Sequence, residues 1–426
     1  MKKTRRNFLK KSIISTATAV GGMPYLLSGN VESSRFRADN DRYEIVDAVA
    51  KLPVLRRELF KDPVIIEKIA LLRYQNNFIC KVLTTDGAEG VSVSNNLRMV
   101  HLYPIFDQLI APFFIGKDAR NLDRLLEEVY VYKSNYKMQS YALWVPLATL
   151  EFAILDVLGK IAKLPMGALI GAIKNSKVGV YRANNFRGKS AEESIRLIQQ
   201  QMEKSGSKAL KFKVGSRMSN NVDYPSDRTE KLIPLIRKTF GTDMTVYADS
   251  NGSYTVDEAI RIGKMMQEEA FNFYEEPVPF DWYEETLAVK NGLTIPIAGG
   301  EQEGSMHNFR WLIANDSLDI VQPDIFYFGG MIRSMKVARM AEAVGKICVP
   351  HISGSGLGFL YMMHFVSALP NAGPYHEFKG FNDEIPMKCS SSDLEIHDGR
   401  IKVPTGPGLG VEIDAAYLAK HKPTVC

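Results

Sequence analysis

The sequence predicts an α/β fold, a (β/α)7-8 TIM-type barrel with an α+β capping domain formed by the N-terminal region and the C-terminal segment. Three observations carry this. Acids close successive apolar runs at a regular step: Asp249 ends "TVYAD", Glu275 ends "FNFYE" and Glu301 ends "PIAGGE", 26 and 26 residues apart. That step is about one strand plus one helix, so the acids fall at the C-terminal ends of consecutive parallel strands, where such barrels keep their chemistry. The step continues, with Asp324 closing "LDIVQPD" 23 residues after Glu301 and His351 closing "KICVPH" 27 residues later. Between the runs lie helical patterns, "TVDEAIRIGKMMQEEA" and "RSMKVARMAEAVGK", with apolar residues three and four apart.

Taken in chain order, the first 30 residues stand outside the fold. "TRRNFLKKS" followed by "IISTATAVGG" resembles a twin-arginine export signal, with a basic start and a modest apolar stretch. From Ser12 to Ser28 that stretch is broken by glycines and a proline and is short for a bilayer span, so it reads as a leader and not as a stable membrane anchor. Ala17-Thr18-Ala19 is one candidate cleavage motif, and a site nearer Asn30 is the alternative. The expected location is periplasmic. The leader also explains the charge, because Lys2, Lys3, Arg5, Arg6, Lys10 and Lys11 carry +6 of a formal +5. Removing them leaves about −1 and no basic patch for a nucleic-acid partner.

Residues 40–175 read as the capping domain. "FICKVLTTDGAEGVSVS" is two strand-like runs around Asp86-Gly87, a dipeptide suited to tight hairpins. Helical patterns follow at "ARNLDRLLEEVYVY" and "PLATLEFAILDVLGKIA"; the latter's Glu151 and Asp156 read as structural polar residues. Residues 176–378 read as the barrel, from "VGVYR" with Arg182, through "ALKFKVG" with Lys211 and Lys213, to "YHEF" with Glu377. Residues 379–426 are the segment returning to the cap. The four cysteines, Cys80, Cys348, Cys389 and Cys426, are too scattered for a disulfide framework and form no C-x-x-C.

Three carboxylates converging on one rim repel each other unless a cation lies between them. A hard, oxygen-seeking divalent ion is the economical answer, Mg²⁺ first, one per subunit, with Mn²⁺ as the substitute. Lys211 and Lys213 are two apart on one strand and therefore share a face. A second ammonium beside Lys213 favours its losing a proton.

These residues resemble the enolase superfamily, specifically its mandelate racemase-like branch. The motifs are Lys211-Phe212-Lys213, "YADSN", "YEEP", "GGEQE", "VQPD" and "VPH", with "EFAILDVLGKIAKLP" and "LIGA" ahead and "DGRIKVPTGPGLGVEID" behind, spanning roughly residues 40 to 415. The resemblance implies Mg²⁺ on Asp249, Glu275 and Glu301, and Lys213 as the base on one face of a carbon beside a carboxylate. It implies His351 as acid or base on the other face, with Asp324 holding its imidazole, and Glu377, protonated through burial, donating to the substrate carboxylate. The family's cap chooses the substrate through loops expected near Lys51 to Asp62, where Arg56, Arg57 and Lys61 lie, and near Ser92 to Arg98. Asn251, Glu303 and Arg182 are candidate substrate contacts, whereas Glu276 is expected on the other side of its strand. Related enzymes are often homo-octamers or dimers, so a homo-oligomer is expected.

The expected reaction is dehydration of a sugar acid to a 2-keto-3-deoxy acid. Epimerisation or racemisation on the same site is the alternative, and an exported sugar-acid binding protein without turnover is the reading from another class. Asp324 stands where the muconate-lactonizing branch has lysine, which argues against cycloisomerase, succinylbenzoate synthase and dipeptide epimerase readings.

Overall fold

Short apolar and aromatic runs, buried on both faces, form a sheet of eight parallel strands in the order that the spacing of the acids implies. The computed structural model describes residues 41–354, 356–381 and 385–424, so the expected leader over 1–30 lies outside it. The cap supplies β1 (Ile66–Tyr74), β2 (Asn77–Thr84) and β3 (Glu89–Val93). The barrel supplies β4 (Lys177–Ala183), β5 (Ala209–Lys213), β6 (Thr245–Asp249), β7 (Phe273–Glu275), β8 (Ile297–Gly299), β9 (Ile320–Val321), β10 (Ile347–Cys348) and β11 (His376–Phe378). Neighbours from β4 to β10 are consecutive, and β11 pairs back in parallel with β4, placing Glu377 opposite Tyr181. Cys348 bridges Ala372 just ahead of β11, which brings the two edges of the curled sheet together.

Register decides which side chains meet at the mouth. Lys213 pairs with Asp249 across β5 and β6, and Asp249 with Glu275 across β6 and β7. Alternation sends Ala209, Lys211 and Lys213 to the interior, while Leu210 and Phe212 go outward to the main core under the helices. Beneath the charged layer lies a plug of Tyr181, Ala209, Tyr247, Phe273, Ala298, Ile320 and Val349. Tyr247 and Phe273 stack in it with ring centres 3.8 Å apart. The interior is therefore filled below the acids and open to chemistry only at the other end.

The helices follow from local chemistry. In Ala191–Ser205 the Ser190 hydroxyl accepts from Glu193 N at 3.1 Å, Glu192 and Glu193 sit in the positive first turn, and Gly206 at φ 61° ends the helix. Its buried Ile195, Ile198 and Met202 recur three and four apart, each contributing roughly 1.5–3 kcal/mol on burial. Val256–Glu268 and Met331–Ala343 occupy the predicted helical patterns.

The cap sheet is antiparallel, and the β2–β3 hairpin turns at Gly87 with φ 86°. The chain end returns to it, with Leu72 opposite Pro423 and Arg73 opposite Lys422. The helix Tyr141–Ala162 is long and apolar enough to cross a bilayer, yet 94% of that apolar window is buried inside the protein. Its two acids are structural. Glu151 accepts from Met331 N at 2.6 Å and Ile332 N at 3.0 Å, closing the N-terminus of a barrel helix, and burial pushes its carboxyl up to about 8 against the pull of those amides. Asp156 accepts from Val91 N and Leu409 N, both at 2.8 Å, tying the cap to the returning segment. Among the described residues, Cys80, Cys348 and Cys389 are free thiols.

Candidate active site

The strand ends bring the charged residues into one buried cluster. Asp249, Glu275 and Glu301 each offer an oxygen, and these oxygens lie within 4.8 Å of one another. Lys211 Nζ stands 2.7 and 2.8 Å from the two Glu275 oxygens, 3.6 Å from Asp249, and 5.3 Å from the centre of the Tyr181 ring. Gln322 Nε2 donates to Glu275 at 2.9 Å. Lys213 Nζ donates to Asp249 and reaches Asn251 Oδ1 at 3.3 Å. Across the triad, His351 Nδ1 lies 2.7 Å from Asp324, while Nε2 lies 3.2 Å from Glu301 and 3.3 Å from Glu377. Asp324 is held in turn by Phe326 N, Tyr327 N and Ser353 N at 2.8, 2.9 and 2.6 Å.

The electrostatics follow from crowding in a dry site. Burial and the neighbouring Asp249 push Glu275 up to about 8, against the pull of Lys211. Asp249 is also fully buried, yet Lys213, Lys211 and Arg187 outweigh that burial and hold it well below the carboxylate range. Burial works against the charged form of His351, but Glu301, Glu377 and Asp324 together outweigh it and raise its pKa, favouring the imidazolium. Lys211, buried among acids, is held firmly charged.

Several expectations need correction. Glu377 is not a proton donor at rest: burial raises it, but Lys379, Lys211 and His351 pull harder and keep it anionic, facing His351. Arg182 alternates outward with Val180 and lines an outer groove with Gln201, Lys204 and Phe378, away from the acids. Glu303 turns from the mouth, its oxygens taken by Tyr283 Oη and Asn308 Nδ2, both at 2.9 Å. Glu276 does not leave for the far side: at φ 42° its backbone turns, and Oε2 accepts from Asn251 Nδ2 at 3.3 Å beside the triad. Asn251 is at the centre, bound to Asp249, Lys213 and Arg187.

Arg187 was not anticipated. From the loop after β4 it donates to Gly215 O at 2.9 Å, to Val214 O and Asp249 O at 3.2 Å, and to Asn251 Oδ1 at 2.9 Å, pinning the ends of β5 and β6. Its signal was positional: an arginine just past a strand's C-terminal end reaches the mouth, whereas Arg182 within the strand had the wrong parity. Arg56 of the first cap loop is committed to Glu58 and Ala168 O, both at 3.1 Å. At the barrel's other end a cavity of about 510 Å³ contains Lys290 and Lys346, but these are already paired with Asp316 and, for Lys290, also Asp319.

The triad passes the chemical test for a hard divalent cation. Its donors are all carboxylate oxygens, buried, convergent and without a sulfur or imidazole ligand set.

An eight-stranded barrel with three acids on successive strand ends, a lysine pair on one side and a histidine–aspartate pair on the other defines an enolase-type barrel protein. A family model described as enolase C-terminal domain-like matches residues 193–417, and the chain belongs to that superfamily. It is similar to the arabinonate dehydratase of Saccharolobus solfataricus, 26% identical over 318 residues, covering 74% of this chain and 82% of that one. It is also similar to the D-galactarolactone cycloisomerase of Agrobacterium fabrum, 26% over 324 residues with 74% and 83% covered. The D-xylonate dehydratase of Haloferax volcanii is 26% identical over 326 residues with 73% and 77% covered. Among solved structures, the 3,6-anhydro-D-galactonate cycloisomerase of Zobellia galactanivorans superposes with TM-score 0.69 and 26% identity, covering 84% of this chain and 99% of that one. Two of these proteins are named cycloisomerases, a reading that Asp324 argues against in the sequence.

Proposed function

We propose that this protein is a Mg²⁺-dependent dehydratase of sugar acids. The observation that carries this reading is the placement of Lys213 and His351 on opposite sides of the Asp249–Glu275–Glu301 triad, with Asp324 2.7 Å behind the histidine. Asp249, Glu275 and Glu301 would hold the ion, which supplies a fixed positive charge for the substrate carboxylate as negative charge builds on it. The chain's own residues do the rest. Lys213 Nζ, as free amine, takes the proton from the carbon beside the carboxylate. His351 Nε2 gives its proton to the departing β-hydroxyl, which leaves as water. The resulting enol takes a proton at C3 and becomes the 2-keto-3-deoxy acid, so the net change is loss of one water. Lys211 stays charged on Glu275, and Glu377 faces His351 Nε2 as an acceptor.

A second reading shares the first step. Two of the similar proteins are named cycloisomerases, and the same proton abstraction followed by cleavage of a β-carbon to ring-oxygen bond opens a sugar-acid lactone or anhydro sugar. Epimerisation differs by returning the proton on the other face. One experiment separates them: purified, Mg²⁺-supplemented protein is screened in D₂O against acid sugars and their lactones. A 2-keto acid from an open-chain sugar acid supports dehydration. Deuterium at the α-carbon without a keto product replaces it with epimerisation, and binding without either outcome replaces it with a binding protein. We also propose export of the folded enzyme, from the paired Arg5-Arg6 leader; retention of tagged protein in the cytoplasmic fraction would contradict that.

A further inference from the structure

Arg98 occupies the rim of the barrel mouth in an unusual state. Its Nε donates to Tyr327 Oη at 3.2 Å, and its guanidinium carbon lies 5.3 Å from the Tyr141 ring centre and 5.7 Å from that of Tyr327. Among the described residues no carboxylate is paired with it, and its two terminal nitrogens have no hydrogen-bond acceptor. Both rings lead down to the chemistry. Tyr141 Oη donates to Gln302, whose Nε2 donates to the triad's Glu301 at 2.8 Å. Tyr327 N donates to Asp324 at 2.9 Å. The same cap segment touches down a second time, Asn95 Nδ2 donating at 2.8 Å to Ser353 Oγ, which itself donates to Asp324.

This segment therefore closes over the side of the mouth between Glu301 and Asp324 and brings a rigidly held cation there. With Nε taken by Tyr327, the outer edge of the guanidinium is left without a protein partner among the described residues, and such a planar fork matches a carboxylate through two parallel hydrogen bonds. The protein's own acids are spent. Asp324 accepts from Phe326, Tyr327, Ser353 and His351, and Glu301 faces His351 and Gln302. The substrate's reacting carboxylate belongs at the triad, so it is not the anion for the rim. A terminal hydroxyl would use one N–H and leave the charge unmatched.

We infer that Arg98 receives a second carboxylate at the far end of the substrate, which makes the substrate a dicarboxylic sugar acid of the aldaric class. This rests on the sugar-acid reading given above. The test is turnover of stereochemically matched pairs, each aldaric acid against its aldonic counterpart, by the intact protein with Mg²⁺. The diacid is preferred in kcat/KM by about tenfold or more, as a charge-assisted pair implies. Arg98→Gln lowers the diacid-to-monoacid ratio by about tenfold, and Arg98→Lys, which keeps the charge but not the fork, lowers it less. Binding of the same pairs to Lys213→Ala protein shows the same dependence on Arg98. Turnover of monoacids without this preference, or a ratio that both arginine variants leave alone, overturns the assignment while the enzyme reading stands. Neither keto acid nor α-proton exchange from any pair overturns the enzyme reading and the assignment together.

Discussion

Replacing Asp324 with asparagine isolates the histidine side of the site. Asp324 Oδ1 accepts from Phe326 N and Tyr327 N, and Oδ2 accepts from Ser353 N and His351 Nδ1. Asparagine keeps the first pair by presenting its carbonyl there, but then turns an NH₂ toward His351 Nδ1 and the Ser353 N–H, which loses its acceptor. Nδ1 must now accept, the imidazole holds its proton on Nε2 only, and the charged form loses its partner. A hydrogen bond to a charged group contributes about 1.5–3 kcal/mol, which at about 1.36 kcal/mol per tenfold is roughly a 10- to 150-fold loss in the step where His351 donates. Abstraction by Lys213, on the far side of the triad, is untouched. Keto acid formation in H₂O and α-deuterium uptake in D₂O, followed in parallel, read the two steps separately. Asp324→Asn should lose keto acid formation by that factor while exchange grows relative to product, because the intermediate returns its proton instead of eliminating. A loss below about threefold, less than the weakest such bond implies, or a parallel loss of exchange, refutes the division of labour.

Other consequences are as specific. A group whose folded pKa is raised keeps its proton longer in the fold, so what depends on that proton is complete at low pH and is lost as pH climbs through the raised value; dehydration should accordingly fall on the alkaline side as His351 deprotonates, and Asp324→Asn should bring that fall to lower pH in a rate profile. Glu151, raised from 4.5 to about 8, binds a proton in the folded but not the unfolded chain between those values. Stability to urea should therefore decline with rising pH across that window, a decline that Glu151→Gln abolishes while costing about 1–3 kcal/mol through the lost acceptor. At Gly330, φ is 113° and an added Cβ would stand 1.9 Å from Glu151 Oε2, so Gly330→Ala should destabilise by roughly 2–6 kcal/mol; a normal melting temperature would contradict the packing. Saturating Mg²⁺ at about 100 times its dissociation constant should stabilise chelator-treated protein by about 2.7 kcal/mol in scanning calorimetry, and a metal-independent transition would exclude the site.

Much of this was legible from residue order because a parallel barrel repeats. One strand plus one helix per step turns sequence spacing into angular position, so Asp249, Glu275, Glu301, Asp324 and His351 are placed by spacing alone. What escaped was set by backbone turns and by parity. The turn at Glu276, φ 42°, returns its side chain to the site, and no strand alternation predicts that. Parity within β4 excludes Arg182, whereas Arg187 depends on the path of a loop. Glu377's charge depends on Lys379, which the sequence places two residues on, and on Lys211 and His351, which only the closed barrel brings near. β1 was missed because its residues mix charge and apolar character without strict alternation; its burial comes from pairing with β2 and with the chain end.

The central claim is that three distant acids share one dication. Isothermal titration of chelator-treated protein with Mg²⁺ tests it most directly: one ion should bind per chain, and Glu275→Gln should abolish the binding. Absence of uptake, or uptake that Glu275→Gln leaves intact, would contradict the account.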